Sequence, residues 1–593
     1  MNAASLARIL LCAAPFCAAL LAGSARAQRA RVYASNPVRT PAREWLALAS
    51  PPLGSSLENE RIRVRSCVDR GRIVSLALGT AELSIRACGL AALARKNSAG
   101  DFSAPPLDVP AATDATRSQP DAFAEISAYH HVSRALSFFQ QLGFAGLPER
   151  LSVVVSARIP AGLREGDRAR LADTASPLEP LGGAFYLGKE PLAALFGSGG
   201  PVLVLGQGSA RDFAYDGDII AHEVAHAVLR SAPAASELAG DGSGLERAAL
   251  LEGLADYFAA ALTGDPLIAE YASGEVPGGL GTRSLESRAR CPESFTGDPH
   301  GDGQLSSTVL WAARQALPAV ERSGFDAAVL RSALQLGSTP EGGLSSFFLA
   351  LRARLGTELP GALPMLRQAL LARGLSDEAG FGCAPLRELS PGQSLSGSGG
   401  PFVAPGAGQP GLLQLVLRPP PGARQLTLRM LGAERKAPAL AELAPAALSA
   451  SLAGLAPFAP RLLGRYGRPL RWARAGGGPA SDAELEAPFT ASGRYWEASL
   501  SLPAEAGSGL YLQIVNTGGE GWYDVLTLRY TLEPAPSSPE GSASGCSLPH
   551  RSRRAGWLLL VLLALALRRR SAQSGATQRL TSLLQSKPSL QSD

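Results

Sequence analysis

The sequence predicts an α+β fold: a mixed sheet, a helical half after it, and a β-sandwich-like module towards the end. Three observations carry that reading. Short apolar or alternating runs of strand length recur between residues 61 and 205. Apolar residues then repeat at helical spacing between 305 and 375, and alternating runs return beyond a Gly/Pro-rich stretch at 390–411. A chain of 593 residues has room for two or three such units with ample cores.

Taken in chain order, residues 1–27 read as an export signal. Arg8 gives the charged start, residues 9–21 the apolar run, and Ala25-Arg26-Ala27 the cleavage site before Gln28. Residues 28–120 form an extended, β-rich segment, with strands expected at 61–65 and 73–78 and a linker at 104–120. No feature requires it to be a removable pro-segment. At residue 121 the pattern turns helical, DAFAEISAYHHVSRALSFFQQLGF, with Gly143 as C-cap. His130 and His131 are adjacent, so they point to different sides of that helix and are read as structural. Strands are expected at 151–155, 184–187 and 202–205. The last leads into a helix over 218–230 with Asp218 as N-cap. A helix opening at Glu252 and four more at 305–317, 325–336, 344–355 and 363–375 complete one domain over 121–389. The module over 390–533 has strands expected at 412–417, 425–430, 495–502, 509–515 and 523–532. It shows no catalytic cluster, and surface or substrate attachment suits it.

Residues 534–554 are a Gly/Ser/Pro-rich linker holding Cys546, residues 555–570 end in Arg568-Arg569-Arg570, and 571–593 are a tail. The apolar run at 555–567 would span about 20 Å as a helix, short of a hydrocarbon core of about 30 Å. A cysteine, a short apolar helix and an arginine cluster resemble the myxobacterial C-terminal sorting segment, which implies surface attachment near Cys546. A plain membrane anchor is the alternative. Of 56 basic and 51 acidic residues, ten basic and one acidic lie in 1–27 and 547–593, so the body is slightly acidic and no nucleic-acid partner is suggested. Cys67, Cys88, Cys291 and Cys383 give two disulfides in an exported chain, by any of three pairings, with Cys546 left over.

The chemistry is concentrated in HEVAH. His222 and His226 fall one helical turn apart on one face, where both imidazoles reach one cation. Glu223 can address a water on that cation without binding it. Glu252, after 25 intervening residues, supplies a third ligand of the His, His, Glu type with an open fourth position. Asp256, one turn further on, can accept a hydrogen bond from the free nitrogen of a metal-bound histidine. Acidic clusters that would hold Ca2+ are not evident.

DIIAHE at 218–223 is similar to the DVVAHE of the thermolysin family, and EGLAD at 252–256 looks closer to the EGxxD of fungalysins. Over roughly 120–380 the chain thus resembles the glutamate-zincin peptidases. That resemblance implies a zincin-like domain and one catalytic Zn2+ on His222, His226 and Glu252, with Glu223 as general base and Asp256 behind a ligand. Gly183-Ala184-Phe185-Tyr186 resembles the edge strand that pairs with substrate backbone, which makes Ala184, Phe185 and Tyr186 substrate-binding. In the family a histidine just before a helix serves the oxyanion. His300, ahead of the helix expected at 305–317, is the candidate, with Asp302 as its orienting partner. Arg283-Ser284-Leu285 is similar to a family segment whose arginine supports the site. No tyrosine stands between His226 and Glu252, which leaves one oxyanion donor unassigned. The expected function is an exported zinc endopeptidase acting on protein or peptide and held at the cell surface or membrane by its C-terminal segment. The rivals are a zinc aminopeptidase and a non-catalytic zinc-binding adhesin or scaffold. The first needs an acidic amine site that is not recognisable, and the second has no use for Glu223.

Overall fold

The computed structural model describes residues 27–78, 81–107, 121–160, 173–189, 191–208, 211–231, 244–274, 282–291, 294, 299–336, 343–375, 386–388, 395–397, 409–410, 414–435, 459–468, 470, 472–475, 478–492, 495–503, 509–516 and 522–534. All belong to the first of two units, residues 1–535. The export signal, Cys383, Cys546 and the apolar run at 555–567 lie outside the described residues. Among the described residues no helix is long and apolar enough to cross a membrane.

The chain begins with a hairpin of β1 (Arg29–Tyr33) and β2 (Arg43–Ala47). Next come β3 (Ile62–Leu78) and β4 (Ala81–Ala91), then β5 (Leu151–Pro160), β6 (Leu178–Pro180), β7 (Ala184–Leu187) and β8 (Val202–Gly206). The main sheet runs β4-β3-β5-β8-β7, with β3, β5 and β8 parallel and the two outer strands antiparallel to their neighbours. The segment before residue 120 is therefore continuous with the sheet of the following domain, because β3 pairs with β5 from Ile62↔Leu151 onward. A boundary at 120/121 does not divide two folds.

Side chains alternate across this sheet. Leu151, Val153 and Val155 of β5 and Leu203 and Leu205 of β8 face the helices. Val154, Val202 and Val204 face the other side, where they pack with Cys67, Cys88 and Phe196. Burial on both faces is why these strands read as unbroken apolar runs. Ser156, at φ 50°, marks a register shift between Val154 and Ala157. Beyond it Ala157 and Ile159 have moved to the far side, as an inserted residue requires. The Cys67–Cys88 disulfide joins β3 to β4. Cys291 is disulfide-bonded too.

Seven α-helices occur among the described residues: α1 (Ala122–Gln141), α2 (Gly217–Leu229), α3 (Gly244–Thr263), α4 (Pro299–Gln315), α5 (Ala319–Leu336), α6 (Leu344–Glu358) and α7 (Leu363–Ala372). Their buried faces share one core with the near side of the sheet, from Ile62 and Val153 through Val224 and Leu254 to Val309 and Phe347. Asp121 caps α1 by accepting from the Phe123 N–H at 2.8 Å. His130 and His131 are buried inside α1 and make a T-shaped pair, in keeping with a structural role. α4 starts six residues earlier than 305. Pro299 is well suited to the first turn of a helix, and Gly303 behind it, which looks like a loop residue, serves a close helix crossing described below.

The C-terminal module is built on two main sheets, with a small hairpin of Trp472–Ala475 and Gly478–Ser481 beside them in sequence. One runs Leu386–Glu388, Gln414–Leu417, Leu510–Asn516, Pro460–Tyr466, Leu485–Pro488, and the other Leu395–Gly397, Trp522–Pro534, Ala423–Arg435, Tyr495–Ser501, Thr490–Ser492. Leu415, Leu462 and Leu512 of the first sheet share a core with Leu426, Leu428 and Leu500 of the second, the inner layer of a sandwich. The molecule is thus mixed α and β in separate regions.

Candidate metal centre

The site starts from the cap of α2. Asp216, rather than Asp218, is the N-cap: its Oδ1 accepts from the backbone N–H groups of Asp218 at 3.1 Å and Ile219 at 3.4 Å. Two acids two residues apart both suit a cap, and which one turns inward depends on partners elsewhere in the chain. Asp218 sits in the first turn, fully buried, and accepts from Asn36 Nδ2 at 3.1 Å. The same Asn36 nitrogen donates to Glu270 Oε1 at 2.9 Å, and the Gly217 N–H donates to Ser35 O at 2.9 Å. The loop after β1 therefore clamps the start of α2. Burial pushes the Asp216 carboxyl up to about 6, and burial with Asp216 and Glu270 nearby raises Asp218 well above the usual range.

One turn into α2, the rings of His222 and His226 face each other edge to face. Their Nε2 atoms are 3.0 Å apart, and Glu252 Oε2, from α3, lies 3.1 Å from the first and 3.4 Å from the second. Zinc ligands at about 2.0–2.1 Å in a tetrahedron lie about 3.3 Å from one another. These three atoms already have that spacing, and the group could hold a metal ion. Glu252 Oε2 is also buried without a hydrogen-bond partner although imidazole nitrogens crowd it, which is the arrangement a shared cation satisfies. Asp256, one turn along α3, takes the other ring nitrogen of His222: Nδ1 and Oδ1 are 2.8 Å apart. Arg283 holds Asp256 in a fork, with Nε to Oδ2 at 2.8 Å and Nη2 to Oδ1 at 2.7 Å.

The electrostatics agree with the geometry. Burial alone would raise Asp256, but the Arg283 guanidinium and His222 hold its carboxyl well below the usual carboxylate range. Burial would likewise raise Glu252, yet His300, His226 and His222 hold it far down. For His222 burial favours the neutral ring, and Asp256 and Glu252 outweigh it, pushing the imidazole up to about 10. The pocket favours positive charge.

Glu223 follows His222 on α2, is 6% exposed, and makes no hydrogen bond or ion pair among the described residues. His300 lies in the first turn of α4 rather than ahead of a helix. Its Nε2 stands 3.2 Å from Glu252 Oε2, and its ring is stacked on that of His222 with centroids 6.2 Å apart. Asp302 is buried in the same turn. Ala184, Phe185 and Tyr186 form β7, the edge of the main sheet, which packs along α2. The Gly206 N–H donates to Gly183 O at 2.9 Å, and ladder alternation then turns the backbone groups of Ala184 and Tyr186 to the open edge. Arg230, at the C-cap of α2, reaches the Tyr186 carbonyl at 3.4 Å.

Spacing on two helices made His222, His226, Glu252 and Asp256 readable in advance. Asn36 and Asp216 were missed because their partners lie far off in sequence, and Gly303, introduced below, because a glycine carries no chemical signature. No protein-family model and no curated protein matches the chain.

Proposed function

We propose that the chain is an exported zinc endopeptidase of the glutamate-zincin kind. The observation that carries this reading is the convergence of His222, His226 and Glu252, with Asp256 behind His222 and Glu223 beside it on α2. Zinc held by those three side chains supplies a Lewis acid that lowers the pKa of a water and polarises a peptide carbonyl. The remaining steps fall to the protein. Glu223 takes the proton of the attacking water and delivers it to the leaving amine. His300 donates to the oxygen on which charge develops, an effect of a few kcal/mol for such donors. Asp256, pinned by Arg283, keeps His222 in the tautomer whose Nε2 lone pair faces the ligand position. Ala184, with its N–H and C=O on the open edge of β7, lines up an extended substrate by adding a strand.

The test is Glu223→Gln in the full-length secreted protein. The substitution removes the base and leaves the three ligands, so zinc content should match wild type while casein hydrolysis falls below detection. Undiminished proteolysis would exclude this mechanism.

A further inference from the structure

His300 and Gly303 lie one turn apart on α4, and both meet the same residue of α3. His300 Nε2 is 3.2 Å from Glu252 Oε2, the oxygen that also faces His222 and His226. Gly303 sits behind it: a Cβ built there would fall 3.1 Å from Glu252 Cβ and 2.7 Å from the Ala249 carbonyl oxygen. At Gly253, next to Glu252, a Cβ would fall 2.2 Å from Gly303 O and 2.1 Å from Ser306 Oγ. The two helices thus touch backbone to backbone, and neither glycine has room for a methyl group. Ser306 closes the contact by donating to Gly303 O at 3.0 Å. This crossing fixes how far His300 stands from Glu252.

We propose that His300 is a positioning residue for Glu252, holding Oε2 in the third ligand position, and that the Gly253–Gly303 contact sets its reach. The proposal rests on the zinc reading above and goes beyond an oxyanion role. A glutamate carboxylate rotates broadly about its last torsion, so a ligand set that needs one oxygen in one place gains from a ring packed against it, and His300 stands 3.2 Å from Oε2 as a close polar neighbour rather than through a formed hydrogen bond. A carboxylate oxygen bound to a cation keeps a lone pair that can face such a ring nitrogen. A histidine that acts on the substrate alone would alter turnover and leave metal affinity as it was.

The experiment measures zinc dissociation constants by competition with a chromogenic chelator, and the visible spectrum of the Co2+-substituted protein. It uses full-length wild type, His300→Ala and Gly303→Ala. The His300 side chain is 26% exposed, so its removal leaves no closed void. His300→Ala should weaken zinc binding by roughly 10–100-fold, the usual effect of losing a group that orients a ligand, and should change the Co2+ bands. Gly303→Ala should do the same if it folds; if it does not, the His300 variant decides. A zinc affinity within about twofold of wild type together with an unchanged Co2+ spectrum in His300→Ala would overturn the proposal, whatever happens to activity. A wild-type chain that binds no metal would remove the zinc reading itself, and the two failures are told apart by which protein shows them.

Discussion

Asp256 touches no substrate in the scheme above, yet it is the most tightly held side chain of the site, between the two nitrogens of Arg283 and Nδ1 of His222. Its carboxyl, kept charged by the guanidinium, is what orients His222, the first of the three side chains that could hold a metal. Asp256→Asn keeps the shape and loses the charge. It should weaken zinc binding by about 10–100-fold, read by chelator competition, whereas an unchanged affinity would make Asp256 a structural group only. At this scale the sequence was most informative. HEVAH and EGLAD place ligands by helical period alone. Arg283 was harder to weigh in a chain with 52 arginines against four lysines, where one more Arg carries little signal. What singles it out is its fork on a buried carboxylate, a matter of tertiary contact.

At the scale of elements, α2 is held at its N-terminus by a loop nearly two hundred residues earlier. Asn36 is fully buried and bridges Asp218 and Glu270, two acids that also meet each other directly. Asn36→Ala leaves both carboxylates without that donor and should cost about 1–3 kcal/mol of stability, measured by urea unfolding at pH 7. A variant as stable as wild type would show that the clamp contributes nothing. The same contact argues against cutting the protein between β1 and β5, since the clamp and two strands of the main sheet lie in that stretch. The last two helices were legible to within three residues because each carries its own apolar stripe, whereas α5 begins six residues before its expected start at 325. Sheet membership was not, because the pairing of β3 with β5 joins residues about ninety positions apart and leaves no local mark.

For the whole molecule, buried titratable groups set how stability follows pH. His130 is pushed down to about 4 by burial and by Arg134 nearby. The unfolded chain, with an ordinary value of about 6.5, therefore takes up that proton first, and stability is lost as pH falls from about 6.5 towards 4. At pH 5 the loss is on the order of 2 kcal/mol. Asp216, raised to about 6, has the opposite sign: the folded chain binds its proton first and gains stability as pH falls from about 6 towards 3.8. Replacing His130 with leucine should remove the first effect. The stability gap between wild type and His130→Leu should then shift in the variant's favour between pH 7 and pH 5, and a pH-independent gap would contradict the assignment. Legibility at this scale followed the same line as below: that a sandwich follows the helical domain could be read from alternation, while one continuous core behind the metal group depends on contacts that only the fold makes.

Everything proposed for function depends on one cation sitting among His222, His226 and Glu252. The most direct measurement is zinc stoichiometry of the full-length protein after exhaustive dialysis, for wild type, Glu223→Gln and the double variant His226→Ala/Glu252→Ala. The account predicts about one zinc per chain in the first two, as a single catalytic site requires, and none in the third. Zinc retained by the double variant, or absent from wild type, would contradict it.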